Sequence, residues 1–218
     1  MAFVLQELGR IEESITIAQD RIALEPNDHN GHANLGWALG EMGKYREGIF
    51  AYERALELKP DFADGHYAIG LFHSHLGEYQ EAIEAEERAI SLQPDADAYT
   101  VLGASRLGQG DHERALRANL EALKLNPEFP QAWHNLGQTY LETGQFEKAA
   151  ASFEQVFQLG AGIPDTHYLL GLAYVKLGKF SAALDQCELL RSLDSDKEQD
   201  LRAAFSTAQL SSHTSASN

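Results

Sequence analysis

Cysteine is almost absent from this sequence, which contains only Cys187. A single cysteine excludes an intramolecular disulfide. Asn-x-Ser/Thr sequons for glycosylation are also missing. Both absences are typical of proteins that fold in a reducing compartment, so we expect a cytoplasmic protein rather than a secreted one.

Long apolar runs are missing as well. A membrane-spanning helix needs about 20 predominantly apolar residues, and no segment of this chain approaches that length. The N-terminus lacks a basic region followed by a hydrophobic core, which a secretory signal would require. We therefore predict no membrane segment.

Positive charge is scarce. The chain has 17 Lys and Arg residues against 33 Asp and Glu residues, which gives a net charge of −16. Such a surface repels phosphate backbones and anionic lipids, so nucleic acids and membranes are poor partners. The acidic charge has two interpretations: it keeps the protein soluble, or it favours basic partners.

Catalytic and metal-binding motifs are also missing. The sequence contains no H-E-x-x-H, C-x-x-C, G-x-S-x-G or Walker motif. Among the nine histidines, His32, His66 and His167 recur at a position that otherwise carries packing aromatics. We predict no metal, no cofactor and no enzymatic activity. Glu86 and Glu87 are assigned to solvated helix faces, and Cys187 to a core stripe as a small buried hydrophobe.

A repeat is what the chain does contain. The glycines at 36, 70, 103, 137 and 171 are separated by 34, 33, 34 and 34 residues, and each follows a Leu or Ile. A second series at 9, 43, 77, 110, 144 and 178 has steps of 34, 34, 33, 34 and 34. A constant period in this range predicts a solenoid of repeated supersecondary units.

Each repeat has the pattern helix, turn, helix, turn. In the first full repeat, Leu35 and Leu39 lie on one helical stripe, Gly43 ends that helix by tolerating positive φ, and Pro60 closes the repeat. We predict a partial N-terminal repeat over 1–28 and five full repeats. The full repeats are 29–62, 63–95, 96–129, 130–163 and 164–197.

A C-terminal helix is predicted to cover the open face of the last repeat. Ser195 and Glu198 have the spacing of a capping box, and Leu201 and Phe205 begin one apolar stripe. We predict a capping helix over 198–210 and a disordered, Ser-rich tail over 211–218.

The repeat resembles the tetratricopeptide repeat family. The residues that carry the resemblance are Trp133, Leu136, Gly137, Tyr140, Gly144, Phe146, Ala149 and Phe153. The resemblance covers roughly residues 1–197 and implies an all-α, right-handed superhelical solenoid of antiparallel helix pairs. It also implies that the first helix of each pair lines a concave groove that binds peptides or extended protein segments.

We predict which side chains line that groove from the stripe adjacent to the packing stripe on each first helix. The predicted groove residues are Asn30, Asn34, Trp37, Glu41, Asp64, Tyr67, Leu71, Asp97, His134, Asn135, Gln138, Asp165, Tyr168 and Leu172. Their aromatic, aliphatic and acidic character favours a ligand with hydrophobic and basic segments. Tyr67 and Tyr168 have the alternative of packing onto neighbouring second helices.

The leading hypothesis is a non-catalytic adaptor or scaffold. A first alternative is the substrate-targeting region of a larger enzyme such as a protein O-glycosyltransferase, because Asn34 and Asn135 occupy the place of that family's peptide-holding asparagines. The incomplete first helix favours this alternative, and the C-terminal cap argues against it. A second alternative is a self-assembling scaffold that forms homo-oligomers through its N-terminal edge.

Overall fold

The protein is built from α-helices alone in the part that the structure describes. The computed structural model describes residues 10–215, and the side chains of residues 10–208. The helices of the first half are α1 (Ile11–Leu24), α2 (His29–Glu41), α3 (Tyr45–Leu58), α4 (Ala63–His75), α5 (Tyr79–Leu92) and α6 (Ala96–Gly108). Those of the second half are α7 (His112–Leu125), α8 (Pro130–Glu142), α9 (Phe146–Gln158), α10 (Pro164–Lys176), α11 (Phe180–Leu193) and α12 (Ser195–Ser215).

Short turns with one recurring glycine join the two helices of each pair. Gly43, Gly77, Gly110, Gly144 and Gly178 all have φ between 69° and 77°. This left-handed conformation is unfavourable for residues that carry a Cβ atom. The prediction that Gly43 ends its helix with a positive φ is confirmed.

The chain divides into two compact units, residues 1–118 and 119–218, with the boundary inside α7. In the first unit, consecutive helices from α1 to α6 pack against each other, and α4 also contacts α2 and α6. In the second unit, consecutive helices from α8 to α12 do the same, and α10 also contacts α8 and α12. Within both units the first helices of neighbouring repeats therefore lie side by side.

Small residues permit the close packing of helices in the first unit. A Cβ atom on Gly36 would lie 2.6 Å from Cδ2 of Tyr52 and 3.0 Å from the backbone oxygen of Gly48. Tyr52 is buried in a cluster with Ile69 and Phe72. The small residues at 36 and 48 therefore serve helix packing.

The core of the last repeat is completed by the C-terminal helix. Cys187 and Leu190 of α11 form a buried cluster with Leu201 of α12, and Cys187 is 0% exposed. The prediction of Cys187 as a small buried hydrophobe is confirmed.

The bounds of the C-terminal helix differ from the predicted range of 198–210. The helix begins at Ser195, and Asp194 Oδ1 accepts a hydrogen bond from the Lys197 amide at 3.1 Å. Asp194 therefore takes the capping role that the sequence pattern assigned to Ser195. The helix continues to Ser215, since it contains no Gly or Pro. The predicted disordered tail thus includes helical residues at 211–215, while residues 1–9 and 216–218 lie outside the described residues.

The assignment of Glu86 to a solvated helix face is wrong. Glu86 is 0% exposed, and neither of its carboxylate oxygens has a hydrogen-bond partner. Burial, reinforced by the charges of Asp95 and Asp97, raises the pKa of this carboxyl to about 10. Glu87 does face solvent, where it forms an ion pair with Arg106. The physical reason is helical phase: one residue along α5 turns the side chain from solvent toward α4.

No helix among the described residues has both the length and the apolar character that crossing a membrane requires.

Candidate functional site

A pocket of about 470 Å³ opens on the side of the first unit that α2, α4 and α6 form. Three successive first helices contribute predicted groove residues to it. These are Asn30, Asn34 and Trp37 of α2, Asp64 and Tyr67 of α4, and Asp97 of α6. The 34-residue period brings these side chains together because equivalent residues of neighbouring repeats stack on one face.

Some residues of the pocket come from outside the predicted stripe. Asp95 precedes α6 and caps it, because its Oδ2 accepts a hydrogen bond from the Asp97 amide at 3.1 Å. Gln93 and Phe62 reach the pocket from connections between repeats, and Tyr52 from the second helix α3. A stripe of positions on the first helices does not include residues in the connections between helices. The Asp-x-Asp pattern of Asp95 and Asp97, however, is a sequence signal for a capped helix start.

Aromatic side chains give the pocket apolar walls. Trp37 is half-buried and packs against the cluster of Ile49, Ile69 and Phe72. Tyr67 is half-buried, and the pKa of its hydroxyl is raised by burial and then by the charges of Asp97, Glu86 and Asp95. The Tyr67 hydroxyl is therefore protonated at neutral pH and available as a hydrogen-bond donor.

Carboxylates give the pocket a negative potential. Asp64, Asp95 and Asp97 all line it, and none of the described residues in its lining is a Lys, Arg or His. Burial, together with the charge of Asp95, raises the pKa of Asp97. A pocket of aromatic faces and uncompensated carboxylates is complementary to a ligand that is both apolar and cationic.

Two predicted groove residues of the first unit lie outside this pocket. Glu41 is the exposed last residue of α2. Leu71 is half-buried and packs against the same core cluster as Trp37.

The second unit uses its predicted groove residues differently. His134 is 8% exposed and Asn135 is 5% exposed. A hydrogen bond of 3.0 Å joins Nδ1 of His134 to Oγ1 of Thr166, and burial lowers the pKa of the imidazole. Asn135 Oδ1 accepts a hydrogen bond from Gln131 Nε2 at 3.0 Å. These polar groups thus have partners within the fold.

The C-terminal helix occupies the end of this face. Asp165 lies 3.6 Å from Nε2 of His134 and 3.9 Å from the Lys197 ammonium of α12. Tyr168 and Leu172 pack against the cluster that contains Leu201. Gln138 is half-buried and donates to Glu142 at 3.3 Å. Of the predicted groove residues, those that line the first-unit pocket therefore form the open surface with acidic and aromatic side chains.

The side chains that line the pocket are suited to non-covalent contacts with a ligand. Its aromatic, amide and carboxylate groups can contact an apolar or cationic ligand. Within residues 10–208, no group of three or more His, Cys, Asp or Glu side chains is placed to hold a metal ion.

The sequence matches the family model described as tetratricopeptide repeat at residues 33–97, 100–162 and 134–199. No curated protein matches the chain.

Several solved structures have a fold similar to that of this chain. PilW, a widely conserved type IV pilus biogenesis factor, is 19% identical and aligns over 92% of this chain and 94% of its own, with a TM-score of 0.84. YrrB, described as a TPR protein with an unusual peptide-binding site, is 21% identical over 90% of this chain and 97% of its own, with a TM-score of 0.65. A MamA fragment from Desulfovibrio magneticus RS-1 is 25% identical over 73% of this chain and 90% of its own, with a TM-score of 0.66.

The family model covers most of the sequence, and the described helices follow its repeat of paired helices. This chain therefore belongs to the tetratricopeptide repeat family, whose arrays are typical scaffolds for protein–protein interaction.

Proposed function

We propose that this protein is a non-catalytic cytoplasmic adaptor that binds an extended segment of a partner protein in the pocket of its first unit. The observation that carries the proposal is the pocket of about 470 Å³ lined by Trp37, Tyr67 and side chains of three successive first helices. A ligand that crosses three helices has to be extended, because equivalent positions of neighbouring repeats follow one another along the face.

The aromatic residues supply the affinity in this proposal. A buried aromatic anchor can contribute about 2 kcal/mol or more to binding. Trp37 and Tyr67 each keep part of their surface exposed, so a ligand would bury it. Asn34 adds an amide that can pair with the ligand backbone, and the carboxylates of Asp64 and Asp97 favour a basic segment.

A pull-down from native lysate tests this function. The baits are the wild-type chain, a Trp37→Ala/Tyr67→Ala variant, and a Leu125→Ala variant as a control. Leu125 is a large exposed hydrophobe, at 52% exposure, that does not line this pocket. Circular dichroism verifies that each bait is folded. We expect a set of partners that the wild type and Leu125→Ala capture and the double variant loses.

The captured partners are then examined as overlapping synthetic peptides. A short isolated segment that binds the wild type, and binds the double variant at least about tenfold more weakly, supports recognition of an extended segment. Capture that is unaffected by the double substitution, or that requires the folded partner, would remove the proposal.

Self-association through the N-terminal helices is a second candidate function. A more apolar pocket of about 850 Å³ lies between α1, α2 and α3, with Ile22, Leu35 and the exposed Phe50 in its lining. A second copy of this chain is the proposed occupant, as the self-assembly alternative requires. Light scattering with a concentration series tests it. A mass that rises with concentration for the wild type and not for Phe50→Asp supports self-association, and a constant monomer mass rejects it.

A further inference from the structure

The carboxylates of the first-unit pocket have different neighbours from the carboxylate at the equivalent repeat position of the second unit. Asp64, Asp97 and Asp165 occupy the same repeat position, separated by 33 and 68 residues. Asp165 lies 3.6 Å from His134 and 3.9 Å from Lys197. Among the described residues, no Lys, Arg or His lines the pocket that Asp64 and Asp97 share. The same acid thus lies beside a lysine in one repeat, whereas no basic side chain lines the pocket that it borders in the two others.

Three carboxylates face one cavity as a result. Asp95 and Asp97 are held close together, since Asp95 accepts a hydrogen bond from the Asp97 amide, and Asp64 approaches from the neighbouring helix. Partial burial raises the pKa of Asp97, and repulsion from the Asp95 carboxylate raises it further. A ligand cation would relieve that repulsion.

The aromatic walls of the pocket suit the methylene groups of a lysine or arginine side chain. Trp37, Phe62 and Tyr67 border the same cavity. Aromatic faces attract ammonium and guanidinium groups and also cover the methylene groups that carry them. A compact metal ion would gain nothing from these walls.

We propose that the first-unit pocket binds one lysine or arginine side chain of an extended protein segment, with its cation among Asp64, Asp95 and Asp97 and its stem against Trp37 and Tyr67. This inference rests on the proposed function, because it assigns a ligand residue to the same pocket. It goes beyond the proposed function because it requires the ligand's cation to occupy one fixed position. A general preference for basic partners would not require a fixed position.

Peptide selection tests the proposal before any natural partner has been identified. A library of random dodecapeptides displayed on phage is selected on the immobilised full chain. Selected sequences are expected to share one Lys or Arg at a fixed place among apolar residues. One such peptide is then synthesised in three forms: unchanged, with the shared cationic residue replaced by norleucine, and with its N-terminus acetylated.

Binding of the three peptides is measured by calorimetry on wild type, Asp64→Asn/Asp97→Asn and Asp165→Asn. We expect norleucine to weaken binding to the wild type by at least about tenfold, the affinity change of one charge-assisted contact. On the double variant the two forms should bind within about twofold of each other. Asp165→Asn should behave as the wild type does, since Asp165 belongs to the second unit and does not line the pocket.

The outcomes separate this inference from the proposed function. Peptides that bind in a Trp37-dependent way, with norleucine as good as lysine or arginine, would overturn the cation assignment and leave groove binding intact. Loss of binding on N-terminal acetylation, with no effect of norleucine, would also overturn it, since the cation would then be the chain amine. A selection that yields no peptide, or peptides indifferent to Trp37→Ala, would reject both proposals.

Discussion

The carboxyl group of Glu86 lies directly against the backbone of Gly70, where a side chain on residue 70 would otherwise stand. In the repeat before it, the ring of Tyr52 occupies the same place against Gly36. The repeat of Glu86 therefore buries an acid where the preceding repeat buries an aromatic ring. Burial raises the pKa of this acid to about 10, and no hydrogen bond reaches its oxygens, so it is protonated at neutral pH.

The buried acid makes stability depend on pH. The folded-state pKa of Glu86 is raised to about 10, whereas an exposed glutamate has a pKa of 4.5. Its contribution to the free energy of unfolding is therefore fully present below pH 4.5 and is lost as pH rises toward 10. The expected loss is up to about 1.4 kcal/mol per pH unit inside that window.

Urea denaturation of the wild type and of Glu86→Gln between pH 5 and 9 measures this effect. Glutamine cannot ionise, so the difference between the two free energies of unfolding should grow in favour of the variant as pH rises. Other titrating groups, including Asp95, Asp97 and Tyr67 nearby, remain in both proteins and cancel to first order. Parallel stability curves would show that Glu86 is not held protonated.

Close packing at Gly137 predicts a cost for alanine. A Cβ atom there would lie 2.7 Å from Cε1 of Phe153, a fully buried ring. Overpacking of this kind costs about 1–3 kcal/mol, against about 1 kcal/mol that alanine gains in a helix interior. The difference predicts that Gly137→Ala lowers the free energy of unfolding by up to about 2 kcal/mol. In a Phe153→Leu background the same substitution should be neutral or stabilising, and an equal loss in both backgrounds would exclude the steric cause.

The hydrogen bond between His134 and Thr166 predicts a difference between two small substitutions. Thr166 is fully buried, and its Oγ1 lies 3.0 Å from Nδ1 of His134. Thr166→Val keeps the shape but leaves the imidazole nitrogen without this partner, for an expected cost of about 1–3 kcal/mol. Thr166→Ser keeps the hydroxyl and should recover most of that loss. Thermal unfolding measures both effects. Equal stability of the Thr166→Val variant and the wild type would argue against a structural role for this hydrogen bond.

Cys187 provides a probe for the docking of the C-terminal helix. The thiol is buried beside Leu201, and burial raises its pKa, so a thiol reagent should not react with the folded protein at pH 8 within minutes. Leu201→Ala should cost about 2–5 kcal/mol and speed the labelling markedly. Immediate labelling of the native wild type would contradict the described packing of α12.

Helical periodicity is enough to predict the paired helices, the turn at Gly43 and the burial of Cys187. These features depend on the repeat spacing and on local backbone preferences, which the sequence displays directly. The family match and the described helices confirm the repeat architecture.

The candidate site is less completely predictable. Asp95 reaches the pocket from a helix cap, which a stripe of helix positions does not include. Asn34 and Asn135 share one repeat position, yet only Asn34 lines the first-unit pocket. Which equivalent residue stays open depends on the side chains of the next repeat, and these vary along the chain. The burial of Glu86 is visible in the sequence only through its repeat equivalent Tyr52, since an acidic pair on a helix is otherwise typical of a solvated face.

Fluorine NMR on the full chain labelled with 5-fluorotryptophan tests ligand binding in the first-unit pocket most directly. The chain has two tryptophans, and they serve as site and internal control. Trp37 lines the pocket, while Trp133 donates a hydrogen bond to the Pro127 carbonyl at 2.9 Å in the second unit. Trp133→Phe assigns the two resonances. On addition of a selected lysine- or arginine-containing peptide, we expect the Trp37 resonance to shift saturably and the Trp133 resonance to stay in place. A bound peptide that moves only the Trp133 resonance, or neither one, would contradict binding in this pocket.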